Sequence, residues 1–84
     1  MIYVANIYVT LKSTVNDPQG NTIVQALTSL GFSGIQDVRM GKYLTIRLEA
    51  SDVTEATTSV DDMCNRLLAN PVIETYRFDL DVAQ

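Results

Sequence analysis

No histidine occurs in these 84 residues, and cysteine occurs once, at Cys64. Without histidine there is no side chain whose ordinary pKa suits proton transfer near neutrality. With one thiol and no imidazole, no zinc pattern can be assembled, and no internal disulfide can staple the fold. Proline occurs twice and glycine four times, so neither a low-complexity linker nor a glycine-rich phosphate loop is present. Gly31-Phe32-Ser33-Gly34 reads as helix termination. Cationic residues number six against ten acidic ones, for a net charge of −4. That balance speaks against a nucleic-acid partner, since phosphate binding rests on clustered Lys and Arg. No apolar run approaches the roughly 20 residues that span a bilayer, and no secretion signal opens the chain. A lone cysteine without a targeting segment fits the cytoplasm.

What is present is a chain long enough for one domain, residues 1–84, with a modest core. Oligomerisation is the plain way for so short a chain to add buried area. Ile2 to Leu11 alternates, with Tyr3, Ala5, Ile7, Val9 and Leu11 on an apolar face and Ile2, Val4, Asn6, Tyr8 and Thr10 opposite. Asp17-Pro18 marks a helix start, Asp17 as cap and Pro18 at the first helical position. Ile23, Ala26, Leu27 and Leu30 follow as one stripe, and Gly31 supplies the stop. Gly20, in the first turn, weakens the helix by about 1 kcal/mol relative to alanine; it suggests either close approach of another backbone or a glycine tolerated near a fraying helix end.

Ile35 to Met40 reads as a second strand and Lys42 to Ala50 as a third, paired antiparallel across a tight turn at Gly41. Asp52 and Glu55 have capping-box spacing for a second helix. Val53, Ala56, Val60, Met63, Cys64 and Leu67 trace its stripe, and Asn70-Pro71 ends it. A last strand runs from Val72 to about Val82. The order β-α-β-β-α-β predicts an α+β, ferredoxin-like two-layer sandwich: a four-stranded antiparallel sheet with both helices on one face. The uncovered face would mix Ile2, Val4 and Tyr8 with Arg39, Arg47, Thr45 and Arg77, an apolar patch ringed by charge and a candidate interface.

Catalytic chemistry is poorly supplied. Cys64 sits on a buried stripe, where a thiol is a small core residue. Asp61 and Asp62 are adjacent on a helix and point apart. Asp79 and Asp81 share a strand face, but one pair is a weak metal signal. No catalytic and no metal-binding residue is therefore expected. The Cys-x-x-Cys loop of metal-carrying ferredoxin-like domains and the glycine- and arginine-rich anion cradle of acylphosphatase-type ones are missing. A small-molecule-sensing regulatory domain is the alternative that composition leaves open.

Three stretches carry a family resemblance: Asp17-Pro18-Gln19-Gly20, then Asp37-Val38-Arg39-Met40-Gly41-Lys42-Tyr43, and then Cys64-Asn65-Arg66-Leu67-Leu68-Ala69-Asn70-Pro71-Val72-Ile73-Glu74. In this order and spacing the chain resembles the PurS family, the small subunit of phosphoribosylformylglycinamidine (FGAM) synthase. The resemblance implies a non-catalytic subunit of purine (IMP) biosynthesis, homodimeric and possibly tetrameric. It would bridge a glutaminase subunit and a large ATP-dependent synthetase subunit for ammonia transfer. It also implies that this chain binds no cofactor, and that ATP, Mg and glutamine are used by the complex. Contact residues expected on this reading are Asp37, Arg39, Lys42, Tyr43, Tyr8, Arg47 and Arg77. Asp17, Pro18, Gly20, Gly41 and Asn70 are expected to shape turns and caps.

Overall fold

A computed structural model describes residues 1–83. Its elements are β1 (Ile2–Leu11), α1 (Pro18–Ser29), β2 (Gly41–Glu49), α2 (Val53–Met63) and β3 (Glu74–Val82), with a π-helical turn over Cys64–Leu68 extending α2. The strands form one antiparallel sheet in the order β2-β1-β3. β1 is central, with the backbone groups of both its edges paired. Ile2 to Thr10 lie opposite Glu49 to Gly41, and Tyr3 to Leu11 lie opposite Val82 to Glu74.

The sheet has three strands among the described residues, not four. Residues 35–40 hold no ladder partner, so the strand expected at Ile35–Met40 does not form. No hairpin corner exists at Gly41-Lys42 either. Gly41 is the first residue of β2, opposite Thr10, and among the described residues positive φ occurs only at Gly31 and Gly34. The cause is the length of β1. It pairs with β2 as far as Thr10 and ends at Leu11, so chain upstream of Gly41 runs past the end of the sheet. Gly41 is tolerated for another reason: a Cβ there would lie 2.6 Å from the Val9 carbonyl oxygen.

The helix layer is half built. Asp52 accepts a 2.8 Å hydrogen bond from the Glu55 amide and caps α2. Val60 and Cys64 are fully buried over Ala5, Ile7 and Val9, and Ala56, also fully buried, packs with Tyr3 and Ala50. Leu44, Ile46, Leu48, Tyr76, Phe78 and Leu80 join this core but stay half-buried. A five-residue hydrogen bond, Ala69 N–H to the Cys64 carbonyl at 3.0 Å, widens the last turn. The extra residue shifts the helical phase. Leu67, expected on the buried stripe, is 81% exposed, and Leu68 is the half-buried one. Asn70 has negative φ; its side-chain oxygen accepts from the Val72 amide at 3.0 Å.

The other expected helix does not lie on the sheet. α1 begins well: Asp17 accepts from the Gly20 amide at 3.0 Å. It ends on a Schellman motif, with Phe32 N–H on the Leu27 carbonyl and Gly31 N–H on that of Thr28, both 3.1 Å, and Gly31 at φ 97°. Between those ends it makes no extended contact with any strand or with α2. Helix and return segment form an arm, residues 18–40, that leaves the sheet where β1 ends and β2 begins. The molecule spans 51 × 30 × 15 Å, with a Cα radius of gyration of 16.6 Å. A compact chain of this length would have about 12 Å. The expectation of two helices on one face is thus corrected to one.

Candidate functional site: the open face of the sheet

Side chains that point away from α2 meet in rows across the three strands. Antiparallel register sets Tyr8 opposite Tyr43 on one side and Arg77 on the other. The Tyr8 and Tyr43 rings are 5.0 Å apart at 40°, and the Arg77 guanidinium carbon lies 4.0 Å above the Tyr8 ring centre. That is cation–π geometry, with the aromatic face holding the charge in place. The next row places Asn6 between Thr45 and Asp79. Asn6 Oδ1 accepts from the Tyr43 hydroxyl at 2.9 Å, which fixes the outer ring. Arg77 also reaches Asp79 at 3.7 Å, an exposed pair that adds little energy. Below them Val4 lies between Arg47 and Asp81. Tyr8, Thr10, Thr75, Tyr76 and Arg77 line a shallow hollow of about 150 Å³.

The residues singled out from sequence separate into three places. Tyr8, Tyr43, Arg47 and Arg77 share this open face. Lys42 alternates with Tyr43 and so faces the helix side; with Asp17, Gln19 and Glu74 it lines a second hollow of about 320 Å³. Arg39 and Asp37 belong to the arm. One Arg39 Nη donates to the carbonyls of Lys12 and Val15, at 3.0 and 2.8 Å. Beside it Asp17, almost wholly buried, accepts from Gly20 and, at 2.6 Å, from the Met40 amide. The Met40 and Gly20 amides hold its carboxyl below the usual carboxylate range, with help from the Arg39 charge. These contacts tie both ends of the arm into one knot.

Sequence reasoning missed Asn6, whose one signal was an amide side chain in the middle of a mostly apolar and aromatic strand. It also missed the 2.5 Å hydrogen bond from the Tyr76 hydroxyl to Asp61, which ties β3 to α2. That bond favours the neutral phenol and pushes the Tyr76 pKa up. Burial pushes the Cys64 thiol up, and Asp61 adds to the effect. A protonated thiol with no exposed surface is no nucleophile. Among the described residues, no three His, Cys, Asp or Glu side chains gather as metal ligands, and no helix is long and apolar enough to cross a membrane.

An aromatic and cationic sheet face on one side and a single packed helix on the other define a class: a small α+β protein with one three-stranded antiparallel sheet. The family model for PurS, described as phosphoribosylformylglycinamidine (FGAM) synthase, matches residues 4–82. The chain belongs to the PurS family, the small non-catalytic subunit of FGAM synthase in purine biosynthesis.

The Synechocystis FGAM synthase subunit PurS is 46% identical over 78 residues, 93% of this chain and 78% of the relative. The Bacillus subtilis PurS structure superposes with a TM-score of 0.86 at 44% identity, over 95% of this chain and 99% of that one. A PurS-like chain in the structure of PurLQS from Thermotoga maritima gives 0.88 at 32% identity, over 96% and 99%.

Proposed function

We propose that this chain bridges the glutaminase and the ATP-dependent synthetase of its complex, so that ammonia released by one is delivered to the other. ATP, Mg and glutamine are then handled by those two subunits, and this chain acts as a homodimer in the cytoplasm. The observation that carries the reading is the Tyr43–Tyr8–Arg77 row. Interfaces are enriched in Tyr and Arg on surfaces that hold them rigid, because a fixed side chain loses little entropy on docking. Here the sheet register and the Asn6 hydrogen bond supply that rigidity. Arg47 extends the face, while Asp37, Arg39 and Lys42 mark a second contact region around the base of the arm. The occurrence of the Thermotoga maritima relative within PurLQS supports the same partners.

Membership of the family displaces the sensing-domain reading, which no observation on this molecule favours. Reconstitution is the test. Synthetase and glutaminase are assayed for glutamine-dependent and ammonia-dependent turnover, with and without this chain. Glutamine-dependent turnover is expected to need the chain, while turnover on added ammonia persists without it. Full glutamine-dependent turnover in its absence would sink the proposal.

A further inference from the structure

β3 is nine residues long and lies at the outside of the sheet, with β1 on one side only. Sheet edges are ordinarily blunted by proline, lysine or a bulge. Glu74–Val82 holds no proline, glycine or lysine, and its register with β1 runs unbroken from Glu74 to Val82. Bonds at its two ends set the phase of its backbone. Ile73 accepts from the Lys12 amide, and the Ala83 amide donates to the Ile2 carbonyl, both at 2.8 Å. Odd-numbered residues therefore turn to β1. Glu74, Tyr76, Phe78, Leu80 and Val82 turn their N–H and C=O groups outward. Among the described residues only the Glu74 amide finds a partner there, the Asn70 carbonyl at 2.7 Å.

The flanks of this edge are shaped as well. On the helix side Tyr76, Phe78 and Leu80 are half-buried against the core under α2. Beside Tyr76 lies a hollow of about 260 Å³, walled by Cys64, Ala69 and Pro71. On the open face, at the same end of the strand, lies the smaller hollow between Tyr8, Thr75 and Arg77. Further along that face the flank is acidic. Asp79 and Asp81 are exposed; Asp79 meets only Arg77, and Asp81 forms no ion pair among the described residues. A free backbone row with side-chain hollows on both faces is the arrangement of strand addition: main-chain hydrogen bonds give affinity, and pockets for alternate side chains give specificity.

We propose that an extended segment of a partner subunit adds to the outer edge of β3 as a further strand of this sheet. Apolar side chains at alternate positions enter the Cys64–Tyr76 hollow and cover Phe78 and Leu80. Lys or Arg between them lie beside Asp79 and Asp81. A second copy does not supply such a segment, since no two cations of this chain stand two positions apart. The inference rests on the bridging role and names the chemistry of one of its contacts.

The experiment rebuilds the full chain by ligation at Cys64, joining residues 1–63 to residues 64–84 with Leu80 N-methylated on its backbone amide. The methyl group replaces an outward N–H, so circular dichroism and melting temperature are expected to stay unchanged. By surface plasmon resonance, affinity for one of the two partner subunits, synthetase or glutaminase, is expected to fall about 10-fold or more, the worth of one ordinary hydrogen bond. Asp81→Lys, made without ligation, is expected to weaken binding to the same subunit about 10-fold, with a smaller loss at high salt. In that complex of the unmodified chain, amide exchange at Tyr76, Phe78, Leu80 and Val82 is expected to slow. Wild-type affinity of both variants for both subunits overturns the strand addition and leaves the bridging role intact. So do amides that exchange in each complex as fast as in the free chain. Slow exchange of these amides in the chain alone assigns the edge to a second copy and likewise overturns the proposal. If the unmodified chain binds neither subunit, the bridging role falls, and the inference with it.

Discussion

Asp17 accepts a hydrogen bond of 2.6 Å from the amide of Met40, a residue 23 positions further along the chain. The same carboxylate caps α1 through Gly20. One side chain therefore sets both where the helix starts and where the chain returns to the sheet.

A pH dependence follows from this double duty. The two amides favour the ionised carboxyl, so its pKa is depressed in the folded chain. A depressed carboxyl binds its proton less tightly when folded than when unfolded, so its contribution is complete above about pH 4 and fades as pH falls through the lower folded value. Amide exchange at Gly20 and Met40 should accelerate in that acid range more than intrinsic exchange predicts. In Asp17→Asn this extra acid response should vanish and both amides should exchange faster at neutral pH. An unaltered acid profile in the variant would show that another group anchors the arm.

Gly20 is buried against the return segment, and a Cβ built there would lie 2.0 Å from the Val38 carbonyl oxygen. Backbone cannot yield as a flexible side chain would. Gly20→Ala should therefore destabilise the base of the arm by about 1–3 kcal/mol, the usual range for overpacking, despite alanine's better helix propensity. Urea unfolding followed at α1 by amide signals would measure it. A gain in stability would mean that the arm moves aside freely.

Two groups of surface side chains should behave differently on truncation. Tyr8→Ala and Arg77→Ala should leave the fold intact and weaken assembly with the other subunits by about 10-fold or more each, the cost of a central contact. Their double mutant should fall short of the sum, because the two side chains touch. Arg39→Ala with Lys42→Ala should also retain the fold and weaken assembly, mainly through the association rate and its salt dependence. Arg39→Ala should in addition mobilise Lys12 to Val15, which lose the guanidinium's two hydrogen bonds. Surface plasmon resonance against the synthetase at two ionic strengths separates these effects. Unchanged binding by Tyr8→Ala and Arg77→Ala would remove the open face from the interface.

Much of this was legible along the chain because it depends on near neighbours. The alternation of β1, the Asp17-Pro18 start, the Gly31 stop and the Asp52 cap are each written within a few residues. Tyr8, Tyr43 and Arg77 could be assigned to one face by alternation alone. That they form a single row could not, since register is decided between strands and not within them. Residues 35–40 form no strand because they have no ladder partner, which no local pattern reveals. The stripe of α1 was equally visible, while the absence of anything beneath it was not. Leu67 was misplaced because a helical stripe assumes an unbroken 3.6-residue period, and the wide turn after Cys64 changes that period by one residue. Arg39 looked like a surface charge. Its real neighbours are carbonyls at Lys12 and Val15, more than twenty positions away.

The central place of β1 also governs the order in which the fold can be made. The first strand synthesised lies between the second and the third, and Tyr3 finds its partner only at Val82. On the ribosome a nascent chain can therefore assemble no more than a two-stranded ribbon, marginal by itself in water, until residues 74–82 have emerged. Closure then depends on pairing across nearly the whole chain, the kind of distant contact that slows folding. During that interval one edge of β1 stands open, and a cell making this protein must keep it from pairing with the wrong chain.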